Sequence, residues 1–182
     1  YTLLLEYVSY WKYQHIFRSQ QQDQLWERKQ GNQQLDSNNK IVLGSVFEHL
    51  LLQQLSAFYH VGQHNIVKLE GADWNDTYDM ASKEGETVCF HHFYAGNFLL
   101  LVKWLQEMKK SYKMDTMEIH EEILILLDRV NGQTPIDYTK PQDKRERLNE
   151  FFKISGHTIS GRKRKVSITE IIEDLEAKGD QM

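Results

Sequence analysis

The chain contains one cysteine, Cys89, and two prolines in 182 residues. A single thiol excludes an internal disulfide framework. It falls inside an apolar helical run, where a buried, unreactive thiol is expected rather than a nucleophile. A basic excess is also missing. The formal net charge is -4, whereas proteins that track a phosphate backbone carry surplus cations on the binding domain, so nucleic acid is not an expected partner. No apolar run approaches the roughly 18 to 20 residues that a membrane helix needs, and no basic stretch precedes an apolar one near the start. We therefore expect no membrane association and a cytoplasmic location.

What is abundant is Leu, Gln, Glu and Lys, with few segments alternating at period two, and this predicts an all-α fold of helices joined by irregular loops. Eight His raise the question of a metal. His91 and His92 are adjacent and diverge on a helix, while His60 and His64 straddle Gly62, so the spacings support no metal site.

The chain opens without an initiator Met, in an amphipathic helix with Leu4, Tyr7, Val8 and Trp11 at helical spacing, and closes at Gln181-Met182 just past a short helix; we expect a fragment of a longer chain. After a polar loop, Ser45 and Glu48 form a capping box for a helix through Phe47, Leu51, Leu55 and Phe58, which Gly62 is expected to end. Residues 84 to 112 form a helix that is apolar on nearly every side (Val88, Phe90, Phe93, Phe98 to Val102, Trp104, Leu105), so others should enclose it. Asp115 with Glu118 predicts a further helix through Ile119, Ile123, Leu126, Leu127 and Val130, ended by Asn131-Gly132. Beyond Pro135 the chain is more charged, with a thin stripe of Leu148, Phe151 and Phe152. A basic loop spans Gly156 to Lys165, and Ser167 with Glu170 starts a last helix carrying Ile168, Ile171, Ile172 and Leu175. The expected division is residues 1–134 as core and 135–182 as a charged helical insertion or lid. These apolar faces are too large for so few helices to cover one another, so either oligomerisation or the rest of a larger helical body should complete the core.

Chemistry concentrates between Val67 and Met80. Asp73, Trp74, Asn75 and Asp76 are followed by Tyr78 and Asp79, which combine the ingredients of a sugar site. An aromatic ring covers the apolar face of a pyranose, Asn and Asp bond its hydroxyls, and a carboxyl near an apolar ring can stay protonated to serve a departing glycosidic oxygen. On composition alone the simpler account is a capping loop with Trp74 at the core edge. His91 and His92 read as hydrogen-bonded core residues. The run Gly161-Arg162-Lys163-Arg164-Lys165 reads as a solvated surface loop, and Gly156 to Gly161 lacks the strand-loop-helix setting of a phosphate cradle.

The string Asp73-Trp74-Asn75-Asp76, followed by Gly85-Glu86-Thr87-Val88, resembles the Gly-Asp-Trp-Asn-Asp-Gly and later Gly-Glu-Ser-Val pair of the cellobiose-phosphorylase-like enzymes, glycoside hydrolase family 94 and its relatives. The Glu48-His49-Leu50 helix is similar to the one that leads into this motif there, and the similarity covers residues 42 to 105. The resemblance implies part of an (α/α)6 toroid of the six-hairpin glycosidase type. It also implies an inverting phosphorylase that splits a β-linked gluco-oligosaccharide with inorganic phosphate to an α-sugar 1-phosphate. Asp76 matches the family's proton donor and Trp74 its sugar-lining aromatic, with Asn75 and Asp73 shaping the same site. Phosphate is the nucleophile, so one carboxylic acid suffices, whereas a hydrolase on the same toroid needs a second carboxylate. Glu86 is the candidate supporting or second carboxylate, while Glu84 reads as an acid complementing a helix dipole. A non-catalytic helical interaction module is the third reading. No organic cofactor or metal is implied; phosphate is a co-substrate, and its ligands are expected outside this stretch. The expected partners are the oligosaccharide, the remainder of the parent chain and, because family members are often dimers, a second copy. Thr77 replaces the family's glycine, and the Lys140 to Lys165 region is not part of the cellobiose-specific pattern, so a longer β-glucan or another linkage is as good an expectation as cellobiose.

Overall fold

The computed structural model describes residues 2–9, 34–69, 85–156 and 158–182. Helices dominate these residues, but the fold is not purely α. Strand β1 (Tyr7–Ser9) pairs antiparallel with β2 (Leu43–Ser45), and β3 (Thr116–His120) pairs antiparallel with β4 (Lys163–Ser167). The helices are α1 (Val46–Tyr59), α2 (Val88–Tyr112), α3 (Pro141–Ser155) and α4 (Ile168–Gln181).

The expected N-terminal helix is replaced by a 3-10 turn at Thr2–Leu5 followed by β1, and Trp11 lies outside the described residues. Pairing with β2, in the register Val8 opposite Gly44, satisfies the backbone groups that a helix would have satisfied internally. The amide of Val46 donates to the carbonyl of Glu6 at 2.9 Å, so this short sheet feeds α1 directly. The capping box of α1 forms as read: Ser45 Oγ accepts from the Glu48 amide at 3.1 Å, and the Ser45 amide donates to Glu48 Oε2 at 2.9 Å.

The helix expected after Asp115 is also replaced. Met117 and Ile119 turn inward while Thr116 and Glu118 face outward, the alternation of a strand. Val166 of β4 lies opposite Met117, and Lys165 lies opposite Glu118, an opposite-charge pair across the ladder. The chain then continues in 3-10 turns at Glu121–Ile125 and Val130–Gly132, with Asn131 and Gly132 both at positive φ. The last residues of the expected basic loop thus belong to β4. Ser167 does precede α4, but its side chain makes no capping bond. Pro141 occupies the first turn of α3, where its missing N–H costs nothing.

The core lies among all four helices and the 3-10 segment. Phe58 sits at its centre, edge-to-face with Tyr59, Phe98 and Tyr138. Leu148 and Phe151 of α3 and Ile168, Ile171 and Leu175 of α4 join the same apolar cluster as Leu51 and Leu55 of α1. Helix α2 buries Phe98, Leu101, Leu105 and Met108 and packs on α4, where Gly179 faces Phe98. It is not enclosed, however: Val88, Phe93, Leu99 and Leu100 are exposed. Cys89 is exposed as well, contrary to the expectation of a buried thiol. His91 is buried, whereas His92 is exposed and so is not a core residue.

Candidate active site

Asp73, Trp74, Asn75 and Asp76 lie outside the described residues, as do Glu84 and Tyr78. The two ends of the segment that carries them are described, and they are held together. From α1 the chain passes Val61, which bridges to Val67, and turns back through residues 62–66 with Asn65 at φ 63°. The Gly62 amide donates to the Ile66 carbonyl at 2.9 Å, and the Lys68 amide donates to the His60 carbonyl at 2.9 Å. Gly62 does not terminate α1 through a left-handed conformation; its φ is not positive, and the helix ends at Tyr59 before it.

Beyond this turn, the backbone of residues 67–69 runs antiparallel to residues 85–87. The Leu69 amide donates to the Gly85 carbonyl and the Thr87 amide to the Val67 carbonyl, both at 2.8 Å, with Lys68 bridged to Glu86. Thr87 then caps α2, its Oγ1 accepting from the Phe90 amide at 3.3 Å. The described residues on either side of 70–84, Leu69 and Gly85, are therefore hydrogen-bonded neighbours.

Glu86 is the one sequence-nominated site residue that is described, and its surroundings are specific. Oε1 accepts from the His64 amide at 2.8 Å, and Oε2 lies 2.7 Å from His64 Nδ1. The carboxylate packs so closely on Gly62 that a Cβ there would stand 2.2 Å from Oε1. The turn is anchored to residues distant in sequence: Asn65 Nδ2 donates to the Tyr138 carbonyl at 3.0 Å, and Arg145 Nη1 donates to the Gly62 carbonyl at 3.1 Å. Beside it lies a shallow cleft of about 210 Å³ lined by Val61, Gly62, Gln63, Lys68 and Arg145.

Sequence reasoning missed His64 as the partner of Glu86, because residues so far apart in sequence meet only through the strand pairing. It also missed two buried charged centres. Glu48, fully buried, accepts not only from Ser45 but from the His120 amide and Nδ1, both at 2.9 Å, and from Lys163 Nζ at 3.0 Å. Burial opposes its charge, but these hydrogen bonds, led by His120, outweigh it and hold the carboxyl down at about 2. Under α3 and α4, Lys178 Nζ donates to Asp128 at 2.9 Å and to Asp174 at 2.5 Å, and Tyr138 Oη donates to Asp128 at 2.5 Å. Burial raises both carboxyls. It prevails at Asp174, which is pushed up to about 6, whereas Lys178 and Tyr138 hold Asp128 below its usual value. Three of the four cations at 162–165 are paired: Arg162 and Arg164 share Glu121, and Lys163 meets Glu48. No group of three or more His, Cys, Asp or Glu among the described residues could hold a metal ion, and no helix among them is long and apolar enough to cross a membrane.

No curated protein matches the chain. The family model for the Glycosyl hydrolase 94 superfamily, catalytic domain, matches residues 26–133, more than half of the 182 and a stretch that includes both Asp73–Asp76 and Glu86. The chain therefore belongs to the Glycosyl hydrolase 94 superfamily of carbohydrate-active enzymes, and residues 26–133 are catalytic-domain sequence.

Proposed function

We propose that the protein is an inverting glycoside phosphorylase that cleaves a β-linked gluco-oligosaccharide with inorganic phosphate to an α-sugar 1-phosphate. The observation that carries this reading is the catalytic-domain match, which spans the Asp73-Trp74-Asn75-Asp76 string and the Gly85-Glu86-Thr87 string in their expected order. Asp76 protonates the departing glycosidic oxygen while phosphate attacks the anomeric carbon from the opposite face. The C–O bond to the leaving sugar breaks as the C–O bond to phosphate forms, with inversion. Trp74 covers the apolar face of the sugar, and Asn75 and Asp73 take its hydroxyls. No cofactor enters the reaction, since phosphate is consumed as a co-substrate. The toroid, of which 1–134 is a part, is completed by the remainder of the parent chain, with a homodimer as the assembly and 135–182 as a charged helical insertion whose α3 and α4 pack into the same core as α1 and α2.

The test is release of sugar 1-phosphate from β-linked gluco-oligosaccharides by the full-length protein, with and without phosphate, for wild type and Asp76→Asn. Phosphate-dependent release lost on the order of 10³-fold in the variant is the expected result. Sugar release without phosphate makes the protein a hydrolase instead, and no turnover of any β-glucan removes the catalytic reading.

A further inference from the structure

A second carboxylate in a glycoside-cleaving site has two distinct uses. It can activate water, or it can hold other groups in place. We infer that Glu86 does the second: with His64 and Gly62 it locks together the two ends of the 70–84 segment, and it affects the reaction only through the placement of Asp76. The catalytic consequence rests on the phosphorylase reading, whereas the lock itself is made of described residues.

Both carboxylate oxygens are engaged by His64, one by its amide and one by its ring. The side chain is 12% exposed and packs closely on Gly62. A general base needs an oxygen available to the incoming water, whereas both oxygens of Glu86 already bond His64. Each end of the lock is fastened to a rigid element. The His64 side is tied through Asn65 to Tyr138 and through Gly62 to Arg145 on α3. The Glu86 side adjoins Thr87, the N-cap of α2. Between them run the backbone bonds of Leu69 to Gly85 and of Thr87 to Val67. Gly62 is required because the space of its Cβ is already filled by Glu86. An alanine there meets the flexible end of a side chain, so it displaces Glu86 and leaves the backbone in place.

The experiment uses the full-length protein and three variants, Glu86→Ala, Glu86→Gln and Gly62→Ala, with kcat, KM and amide hydrogen exchange at Leu69 and Thr87 as readouts. Glu86→Ala and Gly62→Ala should lower kcat by roughly 10²-fold, the scale of a misplaced catalytic group, with KM changed less than about threefold. Exchange at both amides should rise. Glu86→Gln keeps an acceptor for the His64 amide and offers an N–H to Nδ1, so it should recover most of the rate and the protection. Glu86→Gln as inactive as Glu86→Ala, with protection intact, would make Glu86 a reacting carboxylate and overturn the inference. If the wild type turns over no sugar, the phosphorylase reading fails separately, and unchanged exchange in Glu86→Ala and Gly62→Ala would overturn the lock itself.

Discussion

Two regions of the molecule bury charge completely, and they do it differently. At the junction of α1 with β3 and β4, Glu48 is fully buried and meets Ser45, His120 and Lys163, so every direction in which it could accept is supplied. Under α3 and α4, Lys178 is equally buried and is met by Asp128, Asp174 and Tyr138. Its neighbour Lys144, also fully buried, has no hydrogen-bond partner among the described residues and lies 3.9 Å from the centre of the Phe58 ring. The difference teaches that burial alone does not decide what a charge does to stability. A buried charge surrounded by complementary groups ties elements together, whereas one set only against a ring holds its ammonium at a cost.

The largest effect should come from breaking the paired lysine. Lys178→Met removes the ammonium that Asp128 and Asp174 share, and the loss should be about 3 to 5 kcal/mol in urea unfolding at pH 7. Adding Asp174→Leu should restore part of it, since the uncompensated charge is then removed. A Lys178→Met variant as stable as wild type would mean that the network contributes no more than an apolar contact of the same shape.

The Glu48 centre offers the second test. Glu48→Gln presents N–H groups where only acceptors fit, and the expected loss is about 2 to 3 kcal/mol at pH 7. The pH dependence has a definite sign. Glu48 is held at about 2 in the fold against 4.5 when unfolded, so the unfolded chain binds the proton first. Its contribution, on the order of 3 kcal/mol, is complete above about pH 4.5 and is lost as pH falls toward 2. Urea midpoints measured from pH 6 down to 3 should fall more steeply for wild type than for Glu48→Gln; parallel curves would show that Glu48 is not the group being protonated.

These centres also show how much of the fold was legible. The Ser45 and Glu48 capping box was readable, because its partners are three residues apart; the further bonds to His120 and Lys163 were not, because β3 and β4 bring them in from distant sequence. The same distance hid β3 itself. Ile119, Ile123, Leu126 and Val130 repeat at helical spacing, and only the pairing with β4 makes Thr116–His120 a strand. Asp174 and Lys178 left a trace that could have been used, since they share the buried face of α4 with Ile171 and Leu175. Lys144 shares its face with Leu148 and Phe151 in the same way. A charge on an apolar stripe is a signal of a buried network. At the site, Glu86 was nominated from motif order, while its engagement by His64 depended on a turn that no local pattern revealed.

The unpaired lysine provides the smallest and most discriminating change. Burial, aided by repulsion from Lys178, lowers Lys144 from 10.5 to about 8. Here the unfolded chain binds the proton more tightly than the fold, so Lys144 opposes folding fully below about pH 8. The opposition fades as pH rises to 10.5. Attraction of the ammonium to the Phe58 ring offsets some of this, by up to about 2 kcal/mol for a desolvated cation. Lys144→Met keeps the length and the apolar contacts of the stem while removing the charge, and should stabilise the protein by about 1 to 2 kcal/mol at pH 7. Its urea midpoint should stay level between pH 8 and 10, where the Lys144 contribution makes the wild-type midpoint rise. If Lys144→Met is instead less stable at pH 7, the ring contact outweighs the burial, and both regions then bury charge to their own advantage.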